Sequence, residues 1–483
     1  MANATTFYFY DLETTGFNPR EARIMQFAGQ RTDMNLQPIG EPHNYLIKLS
    51  DDVVPEPDAV LVTGITPQKT LAEGITEAEF LRIFHEQIIK PETIFTGFNT
   101  IRFDDEFMRY LHYRNYYDPY EWQYQDGRSR WDLLDLLRIT RALRPEGIEW
   151  PVDAKGSPTN RLELFTKLNG LEHESAHDAL SDVHASIAVA RLVRNKQPKL
   201  FDFSLSMRDK QKVAALVGAG RPFIYTSGKY ASEFEKTTMV GLLADHPEHS
   251  SSALVFDLRY DPEPFIGLSP SALAEAWTKR KDEPGPRLPV KTLKYNRCPA
   301  IAPLSVLDNA SQERLKLFPK TYDANFKKLE SVRAELRDNV FEAMKLLDVR
   351  KQAQLLEDEA EVDTRMYDEF FSRQDKTKMS LVRAAGPEEL EKLDITFKDS
   401  RLTALLPLYK ARNFPNALTD EERGIWERFR ERKLIGGGDK SRLARYFGRL
   451  SQLESSPDVT PEQKYLIEEL KLYGQSIMPA EEA

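Results

Sequence analysis

The sequence predicts an α/β fold around one mixed sheet, followed by a small β-rich domain and a helical C-terminal domain. Three observations lead there. Strand-like and helical patterns alternate through residues 1–198, short β-rich runs punctuated by Gly and Pro occupy 199–350, and helical periodicity dominates 351–483. The length of 483 residues fits about three domains.

Residues 5–13, 23–33 and 44–49 read as strands, because aromatic and β-branched residues gather there between Gly16, Pro19, Pro38 and Gly40. An apolar-faced helical stretch follows at 77–89, then a short strand at 93–98 and helical stretches at 103–114 and 131–143. Two more helices are expected at 161–169, capped by Gly170, and at 178–194. The second segment shows strand-like runs at 223–226, 238–243, 253–260 and 290–295, with a loop at 282–289, the pattern of a small twisted β domain with an inserted helix. Helical runs at 402–410, 421–433 and 461–473 fill the tail, and Gly436 to Gly438 separates two of them.

Composition excludes several classes. A chain that is 41% hydrophobic and 30% charged, with 29 prolines and 23 glycines, is neither disordered nor collagen-like. The one cysteine, Cys298, has no internal disulfide partner, so nothing calls for an oxidising compartment. No uncharged apolar run approaches the roughly 18 residues of a membrane span, and the N-terminus lacks the basic segment of a secretory signal. A cytoplasmic protein with no membrane partner is expected. The net charge of −9 argues only weakly against a polyanionic partner, since the distribution of charge matters more than its sum. Residues 1–198 hold 21 basic and 30 acidic residues, whereas 199–350 hold 24 and 20. Surplus carboxylates in the first segment suit metal ions.

Three local signals could carry chemistry. Asp11-Leu12-Glu13 ends the first predicted strand, where residues i and i+2 share a face, so both carboxylates project together. Two such acids repel unless a cation lies between them, and hard Mg²⁺ or Mn²⁺ suits oxygen ligands. An exposed strand end also explains the triplet. Phe103-Asp104-Asp105-Glu106 opens a predicted helix, where the dipole alone favours acids. His177 and Asp182 would lie about 140° apart within one regular helix, which places His177 on the preceding loop and Asp182 one turn inside. A lone histidine there is commonly structural.

In this chain order the three signals resemble the 3′-to-5′ exonucleases of the DEDDh class, with four acids and a histidine on an RNase H-like fold. That resemblance implies that Asp11, Glu13, Asp104 and Asp182 hold metal and that His177 is the general base. The asparagine that many relatives place four residues before the helix aspartate is replaced by Thr100, with Asn99 beside it, and neither is given a role. Two Mg²⁺ ions, with Mn²⁺ as the alternative, would sit roughly 3.5–4 Å apart and clamp the attacking and leaving oxygens of the phosphodiester.

Longer strings are similar to the bacterial exonuclease I family: 129–135 (Ser-Arg-Trp-Asp-Leu-Leu-Asp), 142–148, 296–299, 393–397 and 409–415. Shorter exonucleases of the class lack the last two. The resemblance implies an RNase H-like exonuclease domain (1–198), an SH3-like β domain (199–350) and a C-terminal helical domain (351–483). It also implies processive 3′-to-5′ digestion of single-stranded DNA to 5′-mononucleotides, in DNA repair and recombination, by a monomer that docks the acidic tail of single-stranded-DNA-binding protein. Two other readings stand beside it, an exoribonuclease with the same five residues and a non-catalytic single-strand-binding protein. For substrate contact, eight aromatics lie between Tyr110 and Trp131. At least half are expected in the core, which leaves Tyr120 and Tyr124 as the better base contacts. Arg161, at a helix start after the expected cap Asn160, with Arg109 and Arg138, would meet phosphates, and Glu13 would also touch the substrate. The basic middle segment is expected to wall the DNA channel and the helical tail to close it.

Overall fold

The aromatic run Phe7-Tyr8-Phe9-Tyr10 becomes the centre of the first sheet. It lies in β1 (Thr6–Thr14), which pairs antiparallel with β2 (Ile24–Thr32) and parallel with β4 (Thr93–Thr96), while β3 (His43–Leu46) pairs antiparallel with β2. The neighbours therefore run β3-β2-β1-β4, a mixed sheet, and a two-residue strand β5 (Ser129–Arg130) comes later in the chain. All nine residues of β2 are buried, as the near-continuous apolar pattern of a central strand requires. Tyr8, Tyr10, Phe27, Phe80, Phe84, Phe95, Phe107 and Trp122 build the core on one face. The register between β1 and β2 slips after Glu13, so a bulge ends the strand where the second carboxylate is presented.

The computed structural model describes residues 4–173, 178–280, 282–355 and 361–479. Residues 1–129, 173–184 and 360–483 form one unit, and 130–172 with 185–359 form another. The first unit joins the N-terminal sheet to the C-terminal helices Arg373–Ala384, Ser400–Asn413, Asp420–Leu434, Arg442–Glu454 and Pro461–Ser476. Much of the aromatic-rich stretch serves that union. Tyr110, Tyr113 and Tyr116 are buried against Met366, Met379, Val382, Leu402, Leu405 and Tyr409, and Tyr113 and Tyr116 donate their hydroxyls to the carbonyls of Val362 and Leu402. With Trp122 and Trp131 also buried, five of the eight rings belong to the core.

The second unit holds the other sheet: β6 (Phe223–Thr226), β7 (Thr237–Asp245), β8 (Ser252–Asp257), β9 (Val290–Lys294) and β10 (Ala300–Pro303), all antiparallel in the order β10-β6-β7-β8-β9. The inserted helix is Pro270–Thr278. Several features differ from the sequence expectation, among them the helices Pro198–Ser206, Lys210–Val217 and Asn309–Leu315. A 37-residue helix, Pro319–Leu355, occupies ground assigned to the β domain. Its apolar positions are spread among many charges, and it is held by packing against β7, where a side chain at Gly241 would press on Phe326 and Leu329. Strand β10 was also not anticipated, because four residues after Pro299 give too short a period-2 signal.

Candidate active site

β1 carries Asp11 and Glu13 on one face, and β2 supports them from across the ladder. Glu13 stands opposite Gln26. Gln26 in turn grips the start of the helix Ala179–Lys196: its Nε2 donates to Asp178 Oδ1 at 3.1 Å, and its Oε1 accepts from the Ala179 backbone N–H at 3.3 Å. Asp178 caps that helix by accepting from the Ser181 N–H. Asp182 thereby arrives one turn inside the helix, beside β1. Carboxylate oxygens of Asp11, Glu13 and Asp182 all lie within 4.8 Å of one another.

Asp104 enters from the helix Asp104–Arg114. It is 2% exposed, and its charge is felt at Asp11. The adjacent acids have separate partners: Asp105 accepts from the Tyr10 hydroxyl at 2.6 Å, and Glu106 accepts from Arg109 and from Tyr367. Side-chain pairing therefore occupies Asp105 and Glu106, while the charge of Asp104 acts on Asp11.

Burial is the main reason Asp11 and Glu13 resist ionisation. Glu13 is pushed up to about 9, first by burial and then by Asp11, Asp182 and Asp178. Asp11 is raised well above the usual carboxylate range by burial and by Asp104, Asp182 and Asp178. A purely oxygen donor set with this surplus of negative charge fits a hard divalent cation. A carboxyl whose folded value is raised contributes stability below its unfolded value near 4.5, and that contribution is lost as pH rises toward 9. Neutralising the cluster reverses the loss. The rise in melting temperature on adding Mg²⁺ or Mn²⁺ is therefore expected to be larger at pH 8.5 than at pH 5.5 and to vanish with chelator. A shift of equal size at both pH values would place the cation elsewhere.

The other residues singled out from the sequence occupy varied settings. His177 lies outside the described residues. Arg109 is 6% exposed, donates to Glu106 and Gln123 at 2.8 and 2.9 Å, and lies over the Tyr120 ring at 5.4 Å. Tyr120 is half-buried and Tyr124 is exposed. In the second unit, Arg138 donates to Asp135 at 2.9 Å and lies against Gly228, where a Cβ would come within 3.1 Å of its guanidinium. Arg161 is exposed and paired with Glu163. It occupies the N-cap position itself, so Asn160 does not cap this helix: the extended backbone that precedes the first turn falls one residue later than expected.

Sequence reasoning missed three residues. Gln26 and Asp178 fix the helix start against β2, and His173 is hydrogen-bonded to Asp182 through Nε2. Gln26 lies within an ordinary strand pattern, and His173 precedes the recognised His-x-x-x-x-Asp spacing. The Gln26 contact gives no local signal because it joins residues 152 apart in sequence, whereas His173 is nine residues from Asp182 but belongs to no recognised spacing.

Comparison with known proteins places this geometry in context. A family profile described as Exonuclease matches residues 8–190, one described as Exonuclease I SH3-like domain matches 208–345, and one described as Exonuclease I C-terminal domain matches 360–477. The chain is 41% identical to exodeoxyribonuclease I of Escherichia coli strain K12 over 426 residues, 87% of this chain and 88% of that protein. Its fold is similar to exonuclease I from Methylocaldum szegediense, with a TM-score of 0.91, 42% identity and coverage of 98% of this chain and 100% of that one. It is also similar to the zinc-bound form of an E. coli exonuclease I complex with single-stranded DNA, with a TM-score of 0.91, 37% identity and coverage of 98% and 100%.

Proposed function

The chain belongs to the exonuclease I family, and from that premise we propose that it is an exodeoxyribonuclease that digests single-stranded DNA from the 3′ end and releases 5′-mononucleotides. The observation that carries the reading is the meeting of Asp11, Glu13 and Asp182 within 4.8 Å, with the charge of Asp104 felt at Asp11. Asp11, Glu13, Asp104 and Asp182 would hold two Mg²⁺ ions, with Mn²⁺ as a substitute. The chemistry such ions supply is charge neutralisation at both the attacking and the leaving oxygen of an in-line displacement.

The protein's own groups do the rest. The four acids come from β1 and two helix starts, so the backbone sets their spacing before substrate arrives, which is how preorganisation lowers a barrier. Gln26 keeps the helix start that bears Asp182 against β2. His177 removes the proton of the attacking water, and Glu13 also touches the terminal nucleotide. Arg161, Arg138 and Arg109 act on the phosphates, directly or through their neighbours, and Tyr120 and Tyr124 offer ring faces to the bases.

The domains divide as 1–198, 199–350 and 351–483. The protein works as a monomer in the cytoplasm, in DNA repair and recombination, and docks the acidic tail of single-stranded-DNA-binding protein on a basic patch. No helix among the described residues is long and apolar enough to cross a membrane.

The test is digestion of 5′-labelled single-stranded DNA, double-stranded DNA and RNA, with Mg²⁺ or with chelator. Shortening from the 3′ end of single-stranded DNA alone, only with metal, is expected. Equal shortening of RNA would make the protein an exoribonuclease, and tight binding without cleavage would make it a binding protein. His177→Ala is expected to lower the turnover number about 10²–10⁴-fold with DNA affinity nearly intact. An undiminished turnover number would remove His177 from the mechanism.

A further inference from the structure

A cavity of about 980 Å³ opens in the second unit, among the loop joining β6 to β7, the segment after β8 and the loop before β9. That volume is at the upper end of what small-molecule sites occupy. Size alone proves nothing, and the charges on the walls decide what could enter. Six cations and four carboxyls line the cavity, a surplus of two positive charges. Some are committed to the fold. The Arg259 guanidinium lies over the Phe234 ring at 3.8 Å and donates to the carbonyls of Thr237 and Leu315, and Asp261 accepts from Lys328 at 2.9 Å.

The surplus gathers around Lys291, which is half-buried. Burial first, then the charges of Arg287 and Lys229, hold its ammonium below the usual lysine range, while Asp257 acts in the opposite sense. Neither Arg287 nor Lys291 has an acidic partner within 4.0 Å among the described residues. Three cations around one carboxyl repel one another until an anion joins them. A second observation points the same way. Tyr230 lines the cavity and is 9% exposed, and its hydroxyl has no hydrogen-bond partner among the described residues. Buried hydroxyls are rarely left so. The Asp257 charge acts on this hydroxyl and on that of Tyr260, so both phenols end at the same cluster.

The chemistry of the walls selects the anion. A phosphate monoester carries about −1.5 to −2 at neutral pH, whereas each phosphodiester inside a strand carries a single charge. The surplus matches the monoester, whose three acceptor oxygens suit two cationic heads and a hydroxyl donor. Tyr260 lines the same cavity with 53% of its surface open, which leaves a ring face for a planar base. We propose that this cavity binds a nucleoside monophosphate, with its phosphate against Lys229, Arg287, Lys291 and the Tyr230 hydroxyl and its base on the Tyr260 ring. All of these residues belong to the second unit, whereas the four acids belong to the first, so the assignment goes beyond the nuclease reading and does not depend on it. A nucleoside 5′-monophosphate is also what the proposed reaction releases, so the site would fill as digestion proceeds.

The test is calorimetric titration of the full-length protein with deoxyadenosine 5′-monophosphate in chelator, where one molecule per chain is expected to bind. Arg287→Gln with Lys291→Met keeps both stems and removes both charges, and is expected to weaken binding by at least about 10-fold at an unchanged melting temperature. Tyr230→Phe removes only the orphan hydroxyl, and is expected to weaken binding about 3- to 10-fold while leaving the fold equally stable. Tyr260→Ala is expected to cost about 5- to 10-fold, and Tyr260→Trp to restore it. Deoxyadenosine, inorganic phosphate and a dinucleoside monophosphate, which holds only a diester, are each expected to bind at least about 10-fold more weakly. Asp11→Ala is expected to bind as wild type does. Absence of binding by wild type, unchanged affinity in both the double variant and Tyr230→Phe, or loss of binding in Asp11→Ala would overturn the assignment. Equal affinity for the dinucleoside would make the cavity part of a strand path, and equal affinity for inorganic phosphate would make it an adventitious anion site, and either result would also overturn it.

Discussion

Asp11→Ala is expected to abolish metal-dependent cleavage of single-stranded DNA, by at least about 10³-fold. Several kcal/mol of transition-state stabilisation rest on the cation site, and each 1.4 kcal/mol is a factor of ten. Asp11 shares the cluster with Glu13 and Asp182, and its carboxyl is raised first by burial and then by Asp104, Asp182 and Asp178. The same crowding separates loss of chemistry from loss of fold. Without a cation the wild-type cluster strains against itself, so removing one acid is expected to leave the metal-free melting temperature equal or higher, and to erase the pH-dependent shift caused by Mg²⁺. Melting curves with and without chelator, beside a turnover assay, check both halves. Robust cleavage by Asp11→Ala would mean that the metal site is elsewhere.

The largest expected loss of stability lies away from the site, in a buried charge cluster that ties the sheet to the C-terminal helices. Asp363 accepts from Arg23 at 2.9 Å and from both terminal nitrogens of Arg412 at 2.9 and 2.6 Å. Asp52 accepts from Arg412 at 2.8 Å and Lys433 at 2.6 Å. None of these five side chains is more than 4% exposed. Asp363→Ala would leave Arg23 and Arg412 buried with too few anions, at a cost of about 3–5 kcal/mol. That corresponds to roughly 5–15 °C in the transition of this unit.

The pH dependence of this cluster is opposite to that of the metal site. Burial alone would raise Asp52 and Asp363, but the arginines and the lysine more than offset it and hold both well below the usual carboxylate range. A carboxyl with a depressed folded value contributes stability above its unfolded value near 3.9, and the contribution is lost as pH falls through the folded value. The gap in melting temperature between wild type and Asp363→Ala is therefore expected to be full at pH 6 and to shrink below about pH 4. A gap that stays constant to pH 3 would show that the carboxylate's charge is not what the cluster depends on.

Much of the site was legible because its signals are local. The i, i+2 spacing of Asp11 and Glu13 needs only a strand, and the placement of Asp182 one turn inside a helix needs only that helix. The aromatic-rich stretch was less legible. Composition shows that Tyr110, Tyr113 and Tyr116 are aromatic, but their burial depends on helices 250 to 300 residues later in the chain. Phe370 and Phe371 are identical neighbours in sequence. One is a packed ring and the other an exposed one because Arg401 and Tyr113 fix the turn between them.

By itself the sequence determined the alternation of strands and helices, the acids at their ends and the family to which those strings belong, because backbone periodicity and side-chain chemistry are properties of neighbouring residues. Only the tertiary structure decided which carboxylates share one cation-sized space, which arginines are committed to internal partners and which rings remain open to a base. Those outcomes are set by desolvation and by pairings between distant segments, and neither exists until the chain has folded.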